Sequence, residues 1–340
     1  MNIFGIKFAP LNIPLKRRLE TLSALFWITL LVFGALIATS TLLYIILFTR
    51  LYLLGLIYII WIYLDRNICH QGGRKINFCR NLICWKYFKD YFPLKIVKTC
   101  ELPPTTNYLL CAYPHGLLPA GIFGHFASDV TDFPKLFPGL KPHIATLNMH
   151  FNAPFTREFL LGLGFVSSSK ESIKYILNME DKGHALALVV GGAAEALYAR
   201  PGSNRIILKK RKGFVKLALK TGCPLVPMYS FGENDLYNQV SNPPGSLTYK
   251  IQNWLKNQTG IAPCIPIGRG VLQYSFGPVP RRCPVITVVG KPITVPKDEN
   301  PSEETIAHYH QIFTEELTKL FEEHKYNYVK EPEKAQLIID

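Results

Sequence analysis

Charge is scarce in this chain, and acidic charge is scarcest. Of 340 residues only 18% are charged while 48% are hydrophobic, and 24 Asp or Glu face 38 Lys or Arg, a net charge of +14. That balance excludes an acidic, solvating chain and suits anionic partners: membrane phosphates, nucleic acid or a phosphorylated cofactor. Zinc-finger spacings and helix-turn-helix patterns are absent, so no nucleic acid is expected. The eight cysteines, at 69, 79, 84, 100, 111, 223, 264 and 283, contain no Cys-x-x-Cys. Their irregular spacing reads as buried or incidental thiols in a reducing compartment, not a disulfide framework. Without Gly-x-Ser-x-Gly there is no lipase-type nucleophile elbow. Without Gly-x-x-x-x-Gly-Lys-Ser/Thr or His-Glu-x-x-His, phosphate-loop ATPases and zinc proteases lack a site. The nine histidines show no metal-ligand spacing, and no metal is expected.

Residues 21–49 lack charge altogether; Arg50 interrupts, and a second uncharged run covers 51–64. The first run exceeds the ~20 apolar residues that a bilayer crossing needs. The second reaches only ~21 Å at ~1.5 Å per residue, against a hydrocarbon core of ~30 Å. Two arrangements follow: a bent or re-entrant hairpin with a break near residues 38–41, or a single crossing followed by an interfacial segment. Lys16, Arg17 and Arg18 precede the block, and Arg66, Arg74, Lys75 and Arg80 follow it. Basic flanks mark the cytoplasmic side, so both ends point there and the hairpin is favoured. A cleaved signal peptide would have an apolar core of only ~7–15 residues. The expected division is a cytosolic segment over 1–20, a hydrophobic hairpin over 21–64, and a cytosol-facing domain over 65–340.

After residue 65, short apolar runs alternate with helical patterns. Residues 107–113, 184–192, 224–231 and 285–290 read as buried strands. Residues 155–164, 171–180 and 212–222 read as helices, the last stopped by Gly222. Alternation of this kind predicts an α/β domain with a largely parallel sheet. Pro301 and Ser302 open a final helix, with Ile306, Tyr309, Phe313, Leu317, Leu320 and Phe321 on one stripe.

Within CAYPHGLLPAG (111–121), His115 stands between a proline and a glycine. In isolation such a histidine reads as a core residue. In VVGGAAEAL (189–197), Glu195 follows a strand end and two glycines, where ligands bind in open α/β sheets. Lys209, Lys210, Arg211 and Lys212 stand at the start of a helix, as a phosphate site or as a solvated, membrane-facing patch.

KDYFPLKIVKT (89–99), YPHG (113–116), FPGLKPHIATL (137–147), REFLLGLG (157–164), VVGGAAEAL, RKGFVKLAL (211–219), PLVPMYSFGEN (224–234) and VITVVGKPITVPK (285–297) stand in this order along the chain. In order and spacing they resemble the blocks of the type-2 diacylglycerol acyltransferase family, which includes monoacylglycerol and wax-alcohol acyltransferases. The resemblance implies an endoplasmic-reticulum membrane enzyme with a cytosolic active site and access to lipid droplets. It would move a fatty acyl group from acyl-CoA, a co-substrate and not a resident cofactor, to a neutral lipid hydroxyl. Self-association is compatible with the sequence but not dictated by it. The family's His-Pro-His-Gly here begins with Tyr113, so the resemblance makes His115 catalytic. The His-x-x-x-x-Asp of more distant glycerolipid acyltransferases would need an acid where Ala120 stands, which argues against a phosphate-containing acceptor such as lysophosphatidate.

On this reading neutral His115 takes the acceptor's proton, and Glu195 orients the imidazole as the acid of a Ser-His-Asp triad does. Turns at Gly116, Gly191 and Gly192 supply N–H groups to the oxyanion. Arg157 and the 209–212 cluster hold the CoA phosphates. The rival of another class is a membrane-anchored, droplet-targeted lipid-binding protein without catalysis.

Overall fold

The uncharged N-terminal run folds as one long helical stretch that turns back on itself. In this computed structural model all residues are described except Met1, Phe4, Leu11, Ser241, Asn242, Pro244, Gly260, Ile261 and Ala262. Helix α1 (Leu15–Ile28) passes through five π-helical residues, Thr29–Phe33, into α2 (Gly34–Phe48), and α3 (Tyr52–Leu64) returns alongside. The turn falls at residues 49–51, which corrects the break expected near 38–41. Thr41 does not interrupt the helix because its hydroxyl donates to the Ile37 carbonyl at 2.8 Å. At the actual turn Thr49 is extended and its Oγ1 accepts the Leu51 N–H at 3.1 Å, leaving Arg50 exposed at the tip.

The two halves of this segment differ in what covers them. α1 lies on α4 (Ile83–Tyr91): Trp27 is fully buried, its ring 5.2 Å from Phe88 and 5.8 Å from Phe123. Glu20, also buried, pairs with Arg17 at 3.2 Å and with Arg282. α2 and α3 instead turn Leu36, Leu47, Phe48, Leu54 and Leu64 outward, with no protein over them. Among the described residues, Leu15–Phe48 and Tyr52–His70 are long and apolar enough to cross a membrane by length and composition.

The rest of the chain builds a seven-stranded sheet from β1 (Lys95–Lys98), β2 (Tyr108–Tyr113), β3 (Lys141–Thr146), β4 (Phe165–Ser167), β5 (His184–Val189), β6 (Leu225–Phe231) and β7 (Ile286–Val289). Its order is β1-β7-β6-β2-β5-β3-β4. β2 to β6 run parallel; β7 is antiparallel to β6 and carries β1 parallel to itself. The sheet is thus mostly parallel, as the alternation predicts. β2 and β6 are buried along their whole length, which is why they read as unbroken apolar runs.

Period-2 alternation sends β2 side chains to two cores. Leu110 and Ala112 join Trp27, Phe88 and Phe123 on one face, with α5 (Ala120–Phe126) and α6 (Thr156–Leu163). Leu109, Cys111 and Tyr113 join the opposite face, covered by α7 (Lys170–Leu177), α9 (Gly213–Thr221) and α11 (Glu303–Tyr328). The short α8 (Gly192–Ala196) follows β5, and α10 (Leu247–Thr259) lies outside the sheet order. Gly222 ends α9 at φ +70°, as the pattern requires, and the Ser302 hydroxyl caps α11 from the Thr305 N–H at 3.0 Å.

Candidate active site

Three adjacent parallel strands deliver the polar residues to one edge. Beyond the carboxyl end of β2 stands His115, beyond β5 stands Glu195, and beyond β6 stands Glu233. This is the edge where open parallel sheets bind ligands.

His115 is half-buried, and its Nδ1 lies 3.0 Å from the Gly116 carbonyl oxygen. A carbonyl can only accept, so Nδ1 carries the hydrogen and the lone pair sits on Nε2. Burial lowers the imidazole's affinity for a second proton, against a smaller rise from the Gly116 carbonyl, so the neutral form is favoured. Gly116 makes the turn at φ +60°.

Glu195 comes to His115, but not to its ring. Its carboxylate accepts the backbone N–H of His115 and, at 2.9 Å, that of Ile207. The expectation that Glu195 orients the imidazole is thereby corrected: it fixes the main chain from which the imidazole hangs. The side chain is 1% exposed, and burial pushes its carboxyl up to about 7. Gly191 must be glycine for steric reasons, since an added Cβ would lie 2.0 Å from Glu195 Oε2; Gly192 turns at φ +64°.

Lys209, Lys210, Arg211 and Lys212 are exposed and immediately precede α9. Arg211 reaches back to the Gly191 carbonyl at 3.1 Å and so joins the cluster to the Glu195 turn. The segment is held by Asp340, whose main-chain oxygen accepts the Leu208 and Lys209 N–H groups at 2.8 and 2.7 Å.

Arg157 is elsewhere, which corrects its expected place on a CoA phosphate. It is fully buried, donating to the Phe151 carbonyl at 3.1 Å, to the Asp65 carboxylate at 3.1 Å, and to Glu158. Its charge is spent on tying α6 to the end of α3.

Sequence reasoning gave Glu233 no role. The signal was present: an acid directly after a buried strand and a glycine, Gly232, at φ +86°. Tyr113, at the position where the motif of the resembled family has histidine, is buried in the α11 core, its ring 6.5 Å from Phe313. Among the described residues its hydroxyl has no hydrogen-bond partner. Burial raises the thiols of all eight cysteines, so none is activated as a thiolate.

A neutral imidazole with its Nε2 lone pair free of the Gly116 contact, at the binding edge of a parallel sheet, can accept a proton from a hydroxyl. The sequence places it within a transferase class. The sequence profile of the family described as Diacylglycerol acyltransferase matches residues 44–340. Diacylglycerol O-acyltransferase 2 of Dictyostelium discoideum is 44% identical over 94% of this chain and 96% of its own. 2-acylglycerol O-acyltransferase 1 of Bos taurus is 44% identical over 95% and 96%, and Acyl-CoA wax alcohol acyltransferase 2 of Homo sapiens 40% over 96% and 99%. The chain belongs to the diacylglycerol acyltransferase family and is an acyltransferase.

Proposed function

We propose that this protein transfers a fatty acyl group from acyl-CoA to the hydroxyl of a neutral lipid, with His115 as general base. Diacylglycerol, monoacylglycerol or a long-chain alcohol would give triacylglycerol, diacylglycerol or wax ester. The observation that carries the reading is the Nδ1–Gly116 contact, which leaves Nε2 of a neutral imidazole free to take a proton. Nε2 accepts the acceptor's proton as its oxygen attacks the thioester carbonyl. Main-chain N–H groups at the Gly116, Gly191 and Gly192 turns meet the oxyanion. The imidazolium returns its proton to the departing CoA thiolate. Glu195 holds the His115 main chain in place throughout. Lys209, Lys210, Arg211 and Lys212 face the CoA phosphates.

The setting we assign is the endoplasmic-reticulum membrane, with access to lipid droplets. The uncovered apolar faces of α2 and α3 support residence in a bilayer. The basic flanks support the division into a cytosolic segment 1–20, a membrane hairpin 21–64 and a cytosol-facing catalytic domain 65–340, although residues 21–28 also pack on that domain.

The test is steady-state ester formation by purified protein from oleoyl-CoA with each of the three acceptors. Saturable ester formation with at least one is expected, and none with any contradicts the proposal. In the same assay Lys209→Ala/Lys210→Ala should raise the acyl-CoA KM about tenfold or more, since each charge-assisted hydrogen bond is worth ~1.5–3 kcal/mol. The acceptor dependence should not move, because the acceptor is neutral. Arg211 is left in place, since it also holds Gly191. An unchanged acyl-CoA KM would make the two lysines a membrane patch instead.

A further inference from the structure

Glu233 is a buried carboxylate for which the mechanism above has no use. It is 2% exposed. Among the described residues its hydrogen-bond donors are two main-chain amides: Ala120 N–H to Oε1 at 2.7 Å and Gly121 N–H to Oε2 at 2.9 Å. These are the first residues of α5, the helix that follows the His115 loop. A carboxylate buried without a cation is costly, and here burial pushes its carboxyl up to about 8.

Its packing shows what the carboxylate is placed to hold. Gly116 lies against it so closely that an added Cβ would sit 2.9 Å from Glu233 Cγ and 3.6 Å from Oε1. On the other side, a Cβ on Gly121 would sit 3.0 Å from Oε2 and 2.9 Å from the Thr287 hydroxyl, which is itself bonded to Ser230 at 2.9 Å. Glu233 therefore has no room to move. Gly232 directs it there by a tight turn, where a Cβ would meet the Pro284 carbonyl oxygen at 2.1 Å.

We infer that Glu233 is a positioning residue for His115. It clamps the Gly116 peptide against the start of α5 and so fixes the carbonyl that holds Nδ1–H and leaves Nε2 as the base. Glu195 grips the His115 N–H while Glu233 backs the next residue, so the dipeptide carrying the imidazole is held from both sides. The inference rests on His115 being the general base.

The experiment compares Glu233→Ala, Glu233→Gln and His115→Ala in purified full-length enzyme. Stability, kcat, the acyl-CoA KM and the pH profile of kcat are measured per folded molecule. A displacement of ~1 Å at a reacting group costs on the order of 10²-fold. Glu233→Ala should therefore lower kcat by about that factor, with the acyl-CoA KM unchanged within about twofold. Its acid limb should move to lower pH, because the Gly116 contact that raises the imidazole is loosened. Glu233→Gln keeps the volume and one amide bond, and should restore kcat to within roughly tenfold of wild type. If the alanine variant does not fold, the glutamine variant carries the test through a smaller kcat loss and the same direction of limb shift. The inference is overturned if folded Glu233→Ala keeps kcat within about threefold of wild type, if the limb stays put, or if folded Glu233→Gln is as inactive as Glu233→Ala, which would mark a proton-transfer role. Substantial activity in His115→Ala would instead remove the general base, and the positioning role with it.

Discussion

His115→Ala is expected to lower kcat by roughly 10²–10⁴-fold, the usual contribution of a general base, with expression and membrane association intact. The reason lies in the ring's contacts. Among the described residues the imidazole donates only to its neighbour's carbonyl, while the surrounding architecture is held by the main chain through Glu195. Removing the ring therefore leaves the His115 N–H, its acceptor and the turn at Gly116 in place. A loss confined to kcat per folded molecule is the outcome this geometry requires. Activity within threefold of wild type would remove His115 from the chemistry.

Arg157→Ala is expected to act through stability instead. The guanidinium is fully buried among Asp65, Glu158 and the Phe151 carbonyl. Breaking a buried pair by deleting one partner costs ~3–5 kcal/mol. The lower end applies here, because Arg74 still reaches both Asp65 at 2.5 Å and Glu158 at 3.5 Å. Thermal unfolding should shift down by several degrees or more, while the acyl-CoA KM of the surviving folded enzyme stays put. Arg157→Lys should not rescue it, since an ammonium cannot supply the fork of donors. The opposite pattern, unchanged stability with a tenfold higher acyl-CoA KM, would return Arg157 to the phosphate site.

These two residues show where sequence patterning stops. Uncharged runs bounded by Gly and Pro located β2, β5, β6 and β7, because a strand buried on both faces carries nothing else. The apolar stripe located α11 for the same reason. Direction was not in the pattern: β7 runs antiparallel to β6, and a buried strand reads alike both ways. The helix turn was misplaced because Thr41, polar and next to Ser40, satisfies itself within the helix. At the site, His115 and Glu195 do meet, yet a main-chain N–H as the partner leaves no trace in residue types. Glu233 meets residues more than a hundred positions away, again through main-chain amides, and Arg157 is a cation whose partners include a main-chain carbonyl and the acid next to it. Contacts made to backbone are invisible to reasoning from side chains.

The proposed chemistry is direct transfer: the acceptor oxygen, deprotonated by His115, attacks acyl-CoA with no acyl-enzyme between. Burial raises all eight thiols, and the chain has no nucleophile elbow. The most direct measurement mixes micromolar purified enzyme with carboxyl-labelled oleoyl-CoA, first without and then with a neutral hydroxyl acceptor, and counts CoA released, ester formed and label retained on denatured protein. Direct transfer predicts no CoA burst and no protein label before acceptor is added, then one ester per CoA released. A burst of CoA equal to the enzyme concentration, with oleate bound to the chain, would contradict it.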